Sequence, residues 1–274
     1  MAGLALSTGL GLARRPRLWT PPSYDARAKA VFDFWDGVGA APSAAVKSLL
    51  NETIVAFQDF GIWPDADLIA PTGATNMIHG VTDLKNPEAS KIFALSNSPT
   101  WTDRYGWTGN GTSSYVGTGR RPSVDGVKWT VNDASIWSYT DTDVAASVPD
   151  VGAGETFSAF CIPRGATGSM GGQLNRVSGA TTLAVVASSA GLSGISRIDA
   201  TTERIWRDGV QMAEATVSAA GRPTGEFRIG GRSPSTFSTR RVAFAMFGAS
   251  MVGKEANLNT VIQNYITKIK AVAA

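Results

Sequence analysis

The sequence predicts a mainly β protein, an antiparallel jelly-roll sandwich with a helical segment before it and a helix after it. Three observations carry this expectation. About eleven short apolar or alternating runs recur between turn residues, and 30 glycines fall between them. Helical spacing is confined to the two flanking stretches. Strands at such close intervals, without helices interleaved between them, suit a sandwich and not a βαβ fold.

Residues 1–23 form an N-terminal arm of small residues and leucines that turns Arg- and Pro-rich before Pro21 and Pro22. Residues 24–63 form a helical segment. Ala30, Val31, Phe34 and Trp35 recur at helical spacing up to Gly37 and Gly39. A second helix starts at Pro42–Ser43, places Val46, Leu49, Leu50, Ile54 and Phe57 on one stripe, and ends at Gly61. Residues 64–250 make the sandwich, with strands expected around 91–95, 113–118, 134–140, 156–162, 173–177, 182–187, 195–198, 204–207, 211–216, 226–229 and 242–247. Asp208–Gly209 marks a tight hairpin, because both residues tolerate the positive φ that such a turn demands. In residues 251–274 a helix over 254–272 aligns Leu258, Val261, Ile262, Tyr265, Ile266 and Ile269. Both helical segments are expected at the sandwich edge.

Charge and chemistry narrow the function. Charged residues make up 17% of the chain, with a net charge of +3. The basic residues are scattered apart from Arg14, Arg15 and Arg17, Arg120–Arg121 and Arg240–Arg241, which argues against nucleic acid as a partner. No apolar run approaches the length of a membrane span. Arg14 and Arg15 follow the apolar start, the reverse of a secretory signal, so the chain is expected to lack one and to fold in a cytoplasm. Cys161 is the single cysteine and lies in an apolar strand-like run, which reads as a structural thiol.

Nothing in the residues assembles a catalytic set or a cofactor site. His79 is the one histidine, flanked by Gly80 in a loop, and reads as a solvated or hydrogen-bonded residue. The acids sit mostly in turns, without the alternating carboxylate pair of a glycosidase strand. Asp141 and Asp143, with Asp150 nearby, are the best oxygen cluster and a weak candidate for a metal. Gly168–Gly172 lacks the following Lys and Ser/Thr of a phosphate loop. Aromatics concentrate between 101 and 139, and Trp101, Tyr105 and Trp107 are the candidate glycan contacts.

The order of short motifs is distinctive. Gly61-Ile-Trp63 closes the helical segment, followed by Asn97-Ser-Pro-Thr-Trp101 and the glycine-rich stretch from Tyr105 to Gly119. Ile205-Trp-Arg-Asp-Gly-Val210, Phe227-Arg-Ile-Gly-Gly231 and Phe237-Ser-Thr-Arg-Arg-Val-Ala-Phe-Ala245 come later, before the final helix. This order resembles tailed-phage and prophage virion proteins with a laminin G-like, concanavalin A-like jelly roll. The resemblance implies a structural virion component, such as a tail-fibre, collar or head-surface decoration protein, located in the virion. It implies other virion proteins and copies of the chain itself as partners, and a host surface glycan as a possible ligand. A glycan-binding adhesin is the alternative, and a polysaccharide-degrading enzyme has the least support. Leu4, Leu6, Leu10 and Leu12, with Arg14, Arg15 and Arg17 behind them, are the expected assembly arm, lying on another subunit.

Overall fold

The computed structural model describes residues 23–177 and 182–273. Its helices are α1 (Ala26–Gly37), α2 (Ala44–Asp59), the single turn α3 (Pro122–Asp125) and α4 (Glu255–Ala271). The strands begin with β1 (Ala66–Ala70), β2 (Ala94–Ser96), β3 (Thr100–Thr102), β4 (Gly106–Thr108), β5 (Tyr115–Gly117) and β6 (Ala134–Thr140). They continue with β7 (Val151–Ala153), β8 (Ser158–Ile162), β9 (Ser169–Arg176), β10 (Thr182–Val185), β11 (Gly191–Arg197) and β12 (Thr202–Arg207). The last are β13 (Val210–Thr216), β14 (Arg228–Ile229), β15 (Gly231–Arg232), β16 (Thr236–Phe237) and β17 (Arg241–Gly248).

Two antiparallel sheets make the sandwich. The larger runs β13-β12-β11-β6-β17-β4-β3, with β1 also paired to β17. The smaller runs β10-β9-β8-β7-β14-β5-β2, and β15 pairs with β16 as a separate ribbon. Between the sheets lies one apolar core. Ile136, Ile195, Ile205, Val242, Ala245 and Phe247 of the larger sheet meet Val116, Val151, Ala159, Cys161, Met170 and Ile229 of the smaller. Asp208 and Gly209 turn the β12–β13 hairpin at φ 49° and 80°, as the sequence predicts.

The central strands of the larger sheet, β11, β6 and β17, are buried on both faces, and this explains their composition. Trp137, Trp206, Phe244 and Met246 point away from the sandwich core into a second cluster. There they meet Val31 and Trp35 of α1, Leu50, Ile54 and Phe57 of α2, and Leu258, Ile262 and Ile266 of α4. A strand covered on both sides has few places for charge, so β17 reads Arg-Val-Ala-Phe-Ala-Met-Phe-Gly. The helices therefore form a third layer on the outer face of this sheet and do not sit at the sandwich edge. Sequence spacing gives a helix its apolar stripe, but not which surface receives it. The stripe of α1 is also rotated: Ala28, Val31, Phe32 and Trp35 are buried, whereas Ala30 is exposed.

Several strands escape the sequence pattern. β1, β3, β4 and β7 are short or lie among turn-rich residues, and pairing with neighbours defines them. The run expected from residue 91 starts as a 3-10 turn, Ala89–Lys91, with β2 beginning at Ala94. Gly168–Gly172 leads into β9, which is strand from Ser169. The arm residues Leu4, Leu6, Leu10, Leu12, Arg14, Arg15 and Arg17 lie outside the described residues. Among the described residues, no helix is long and apolar enough to cross a membrane.

Candidate binding site

The candidate site is a cleft where the start of α2, the loop after β1, the β3–β4 hairpin turn and the end of α4 meet. Each wall has a local cause. Ser43 caps α2, its Oγ accepting from Val46 N at 3.3 Å, and so fixes the start of this helix at the cleft. The loop after β1 is stitched to the larger sheet: Thr72 Oγ1 donates to Val242 O at 2.7 Å, and Gly73 N donates to Ala243 O at 2.6 Å. Tyr265 of α4 donates its hydroxyl to Gly73 O at 2.9 Å. Asn76 Oδ1 accepts from Ile78 N at 2.8 Å and turns the chain into the 3-10 turn that carries His79. Across the cleft, Arg104 takes a left-handed backbone conformation, φ 64°, and donates its N–H to Ala74 O at 2.6 Å.

The resulting cavity, about 380 Å³, is lined by Ser43, Thr75, Asn76, His79, Asp103 and Arg104, with Ala41, Pro42, Val272 and Ala273 closing it. His79 is only 2% exposed and stacks on Trp35 with ring centroids 3.8 Å apart. Its Nε2 lies 2.6 Å from Ala40 O, and a carbonyl only accepts, so Nε2 carries the proton. Desolvation lowers the pKa of the ring, partly countered by the bond to Ala40, so the imidazole is neutral and its Nδ1 is an acceptor. Asp103 Oδ2 accepts from Arg104 Nη1 at 2.6 Å. His79 Nδ1, Asp103 Oδ1 and Arg104 Nε are buried without a hydrogen-bond partner. Two acceptors and one donor on residues that line one cleft are thus left without partners, each atom closed off from solvent.

The three aromatic candidates gather around this loop but do not act alike. Trp107 is 2% exposed and donates Nε1 to Gly80 O at 3.0 Å, so it supports the loop and cannot touch a ligand. Trp101 pairs with it across the hairpin, centroids 6.4 Å apart, and keeps a buried, unpartnered Nε1 beside Gly80. Tyr105 is exposed, yet Arg241 and Lys270 each stand 4.9 Å from its ring centre. Both cations bind Asp141, which clamps the end of α4 to the sheet.

The three weak metal candidates do not converge. Asp141 is held by Arg241 and Lys270. Asp143 is solvent-facing, accepts from Ser189 N at 2.9 Å and pairs with Arg164 at 3.1 Å. The Ser189 N–H, then Arg164, lower its pKa. Asp150 is fully buried against Arg240 at 2.6 Å. Each oxygen set is already neutralised by cations, and no cluster of acidic, His or Cys side chains suited to a metal occurs among the described residues. Sequence reading weighed His79 but passed over Ser43, Thr75, Asn76, Asp103 and Arg104. The one available signal was the Asp103–Arg104 turn inside the aromatic stretch; α2 and the loop come near it only through the fold.

No family model matches the chain, and no curated protein matches it. Among solved structures, a mutant Trypanosoma rangeli sialidase displaying trans-sialidase activity is 10% identical over 80% of this chain, with a TM-score of 0.49. The chain spans about two fifths of that sialidase's length, 39%. Domain 4 of the GH43 extracellular arabinanase AbnA from Geobacillus stearothermophilus, in complex with arabinotriose, is 13% identical over 70% of this chain and 99% of that domain, with a TM-score of 0.39. A point mutant of HCR/D is 7% identical over 73% of this chain and 52% of its own, with a TM-score of 0.51. What this last likeness shows is the fold: a mainly antiparallel β-sandwich.

Proposed function

We propose that this chain is a non-catalytic glycan-binding module and that the cleft at the start of α2 takes one sugar residue. The observation that supports this most is the mixture of unpartnered acceptors and a donor on residues that line one small cavity. A sugar hydroxyl both donates and accepts. It can donate to His79 Nδ1 or Asp103 Oδ1 and accept from Arg104 Nε–H, whereas a simple ion satisfies one kind of group alone. The side chains of Ser43, Thr75 and Asn76 extend the same polar wall.

Catalysis has little support in this cleft. Asp103 is its one carboxylate and is already bound to Arg104, while His79 spends its N–H on Ala40. A glycosidase needs a second carboxylate across the bond. Attachment to a virion through the arm rests on the sequence resemblance and on residues outside the described chain. The cleft supports the binding half of that expectation.

The test is a glycan array with the full-length chain, followed by calorimetry on the best ligand. We expect saturable binding without product release, weakened at least tenfold by Arg104→Gln and by Asp103→Asn. An array without binders, or equal affinity in Arg104→Gln, would sink the proposal.

A further inference from the structure

The outer face of the smaller sheet carries two guanidinium groups, of which Arg228 pairs with Glu226 and Arg232 pairs with no carboxylate among the described residues. Strand register sets Ala94, Gly117, Arg228, Gly152 and Phe160 in one row across five strands. The adjacent row, Val116, Ile229, Val151 and Cys161, is in the core, so the row with Arg228 and Phe160 faces outward. On one side of Arg228 the missing side chain of Gly117 makes room for the Glu226 carboxylate, since a Cβ there would lie 2.6 Å from Glu226 Oε1. A Cβ at Gly152 would lie only 2.7 Å from Phe160 Cβ.

Each arginine lies on an aromatic ring. The Arg228 guanidinium is 3.9 Å from the ring centre of Tyr115, which in turn lies 6.2 Å from Phe237. Arg232 stands 4.9 Å over Phe160. Arg228 donates to Pro234 O at 3.0 Å, and its nearest carboxylate, Glu226, is 3.8 Å away. Glu226 also accepts from Gly119 N at 2.7 Å, and Glu155 faces Thr224. Arg232 donates to Ser158 Oγ at 3.3 Å and has no carboxylate within 4 Å among the described residues. The Nε atoms of both arginines are buried without a hydrogen bond, that of Arg228 having only the longer ion-pair contact to Glu226. Desolvation alone lowers the pKa of Arg232.

A guanidinium held against apolar rings has lost water and gained little in exchange, so an anion placed there is stabilised more than one in solvent. Its planar fork suits a carboxylate. The half-buried rings of Tyr115 and Phe237 beside it suit the C–H face of a sugar. We propose that this face is a second binding site, separate from the cleft, for a carboxylate-bearing sugar such as a uronic acid residue, with Arg232 and Arg228 holding the carboxylate.

The experiment follows the arginine Nε–H resonances of the full-length chain by NMR while glucuronate, glucose or inorganic sulfate is added. Glucuronate should shift the Arg232 and Arg228 signals saturably, and glucose should leave them in place. Arg232→Gln should weaken glucuronate binding at least tenfold and Arg232→Lys by less, with the sugar affinity of the cleft unchanged in both. Arg104→Gln should leave glucuronate binding at this face intact, which separates failure of this site from failure of the cleft. Equal shifts with glucose, a response to sulfate alone, or undiminished glucuronate binding in a folded Arg232→Gln protein would each overturn the proposal.

Discussion

Replacing Arg240 with Met should remove more stability than any single exposed charge could. Arg240 is fully buried and is surrounded by acceptors. Nε donates to Val144 O at 2.8 Å, and Nη1 donates to Val148 O at 2.9 Å and to Asp150 Oδ1 at 2.6 Å. Nη2 donates to Ala146 O and, at 2.5 Å, to Arg164 O. The guanidinium thus gathers the whole loop between β6 and β7 onto the start of β17. Methionine fills part of the volume but strands the Asp150 carboxylate, which keeps only the hydroxyls of Thr140 and Ser238. Removing one partner of a buried ion pair costs about 3–5 kcal/mol. Orphaned carbonyls add about 1–3 kcal/mol each where water does not reach them. Since a domain is stable by about 5–15 kcal/mol, the loss should exceed about 3 kcal/mol and leave a chain near its unfolding threshold. Urea unfolding of the full-length protein, followed by tryptophan fluorescence, measures it. Adding Asp150→Asn to Arg240→Met should recover part of the loss by removing the stranded charge. A single Arg240→Met variant within about 1 kcal/mol of the parent would refute the reasoning.

Three further outcomes follow from other sites. The pKa of His79 is lowered in the fold, so the unfolded chain takes up the proton first as pH falls; stability should be full above about 6.5 and decline below it, and His79→Gln should flatten that decline in melts between pH 5 and 8. Cys161 is fully buried, and desolvation, then the Asp150 charge, push its thiol to about 12. It should resist a thiol reagent until urea opens the core, and rapid labelling of the native chain would contradict this. Gly194 lies against the Trp137 ring, where an added Cβ would overlap the indole. Gly194→Ala should therefore destabilise by about 1–3 kcal/mol in the same urea assay, and an unchanged midpoint would show that the ring can move aside.

Much of the fold is legible in the residues themselves. The seven-residue run from Ala134 to Thr140 declares β6 at its true bounds, and Asp208–Gly209 declares its hairpin, because the needed backbone angles are written in those residue types. The stripes of α2 and α4 are equally plain: Leu50, Ile54 and Phe57, and Leu258, Ile262 and Ile266, are buried as their spacing requires. Local periodicity is a property of neighbouring residues, so sequence can carry it. What tertiary structure decided is who meets whom. Asp150 looked like a metal oxygen until Arg240, 90 residues on, proved to be its partner. Trp107 looked like a ligand platform until Gly80 received its N–H. The cleft joins Ser43, His79 and Arg104 from three separate elements, and the second site joins Arg228 to Tyr115 and Arg232 to Phe160 across strands. No local pattern encodes such pairings, because the energy of a charge or a polar atom depends on what surrounds it once water is gone, and only the packed fold sets that.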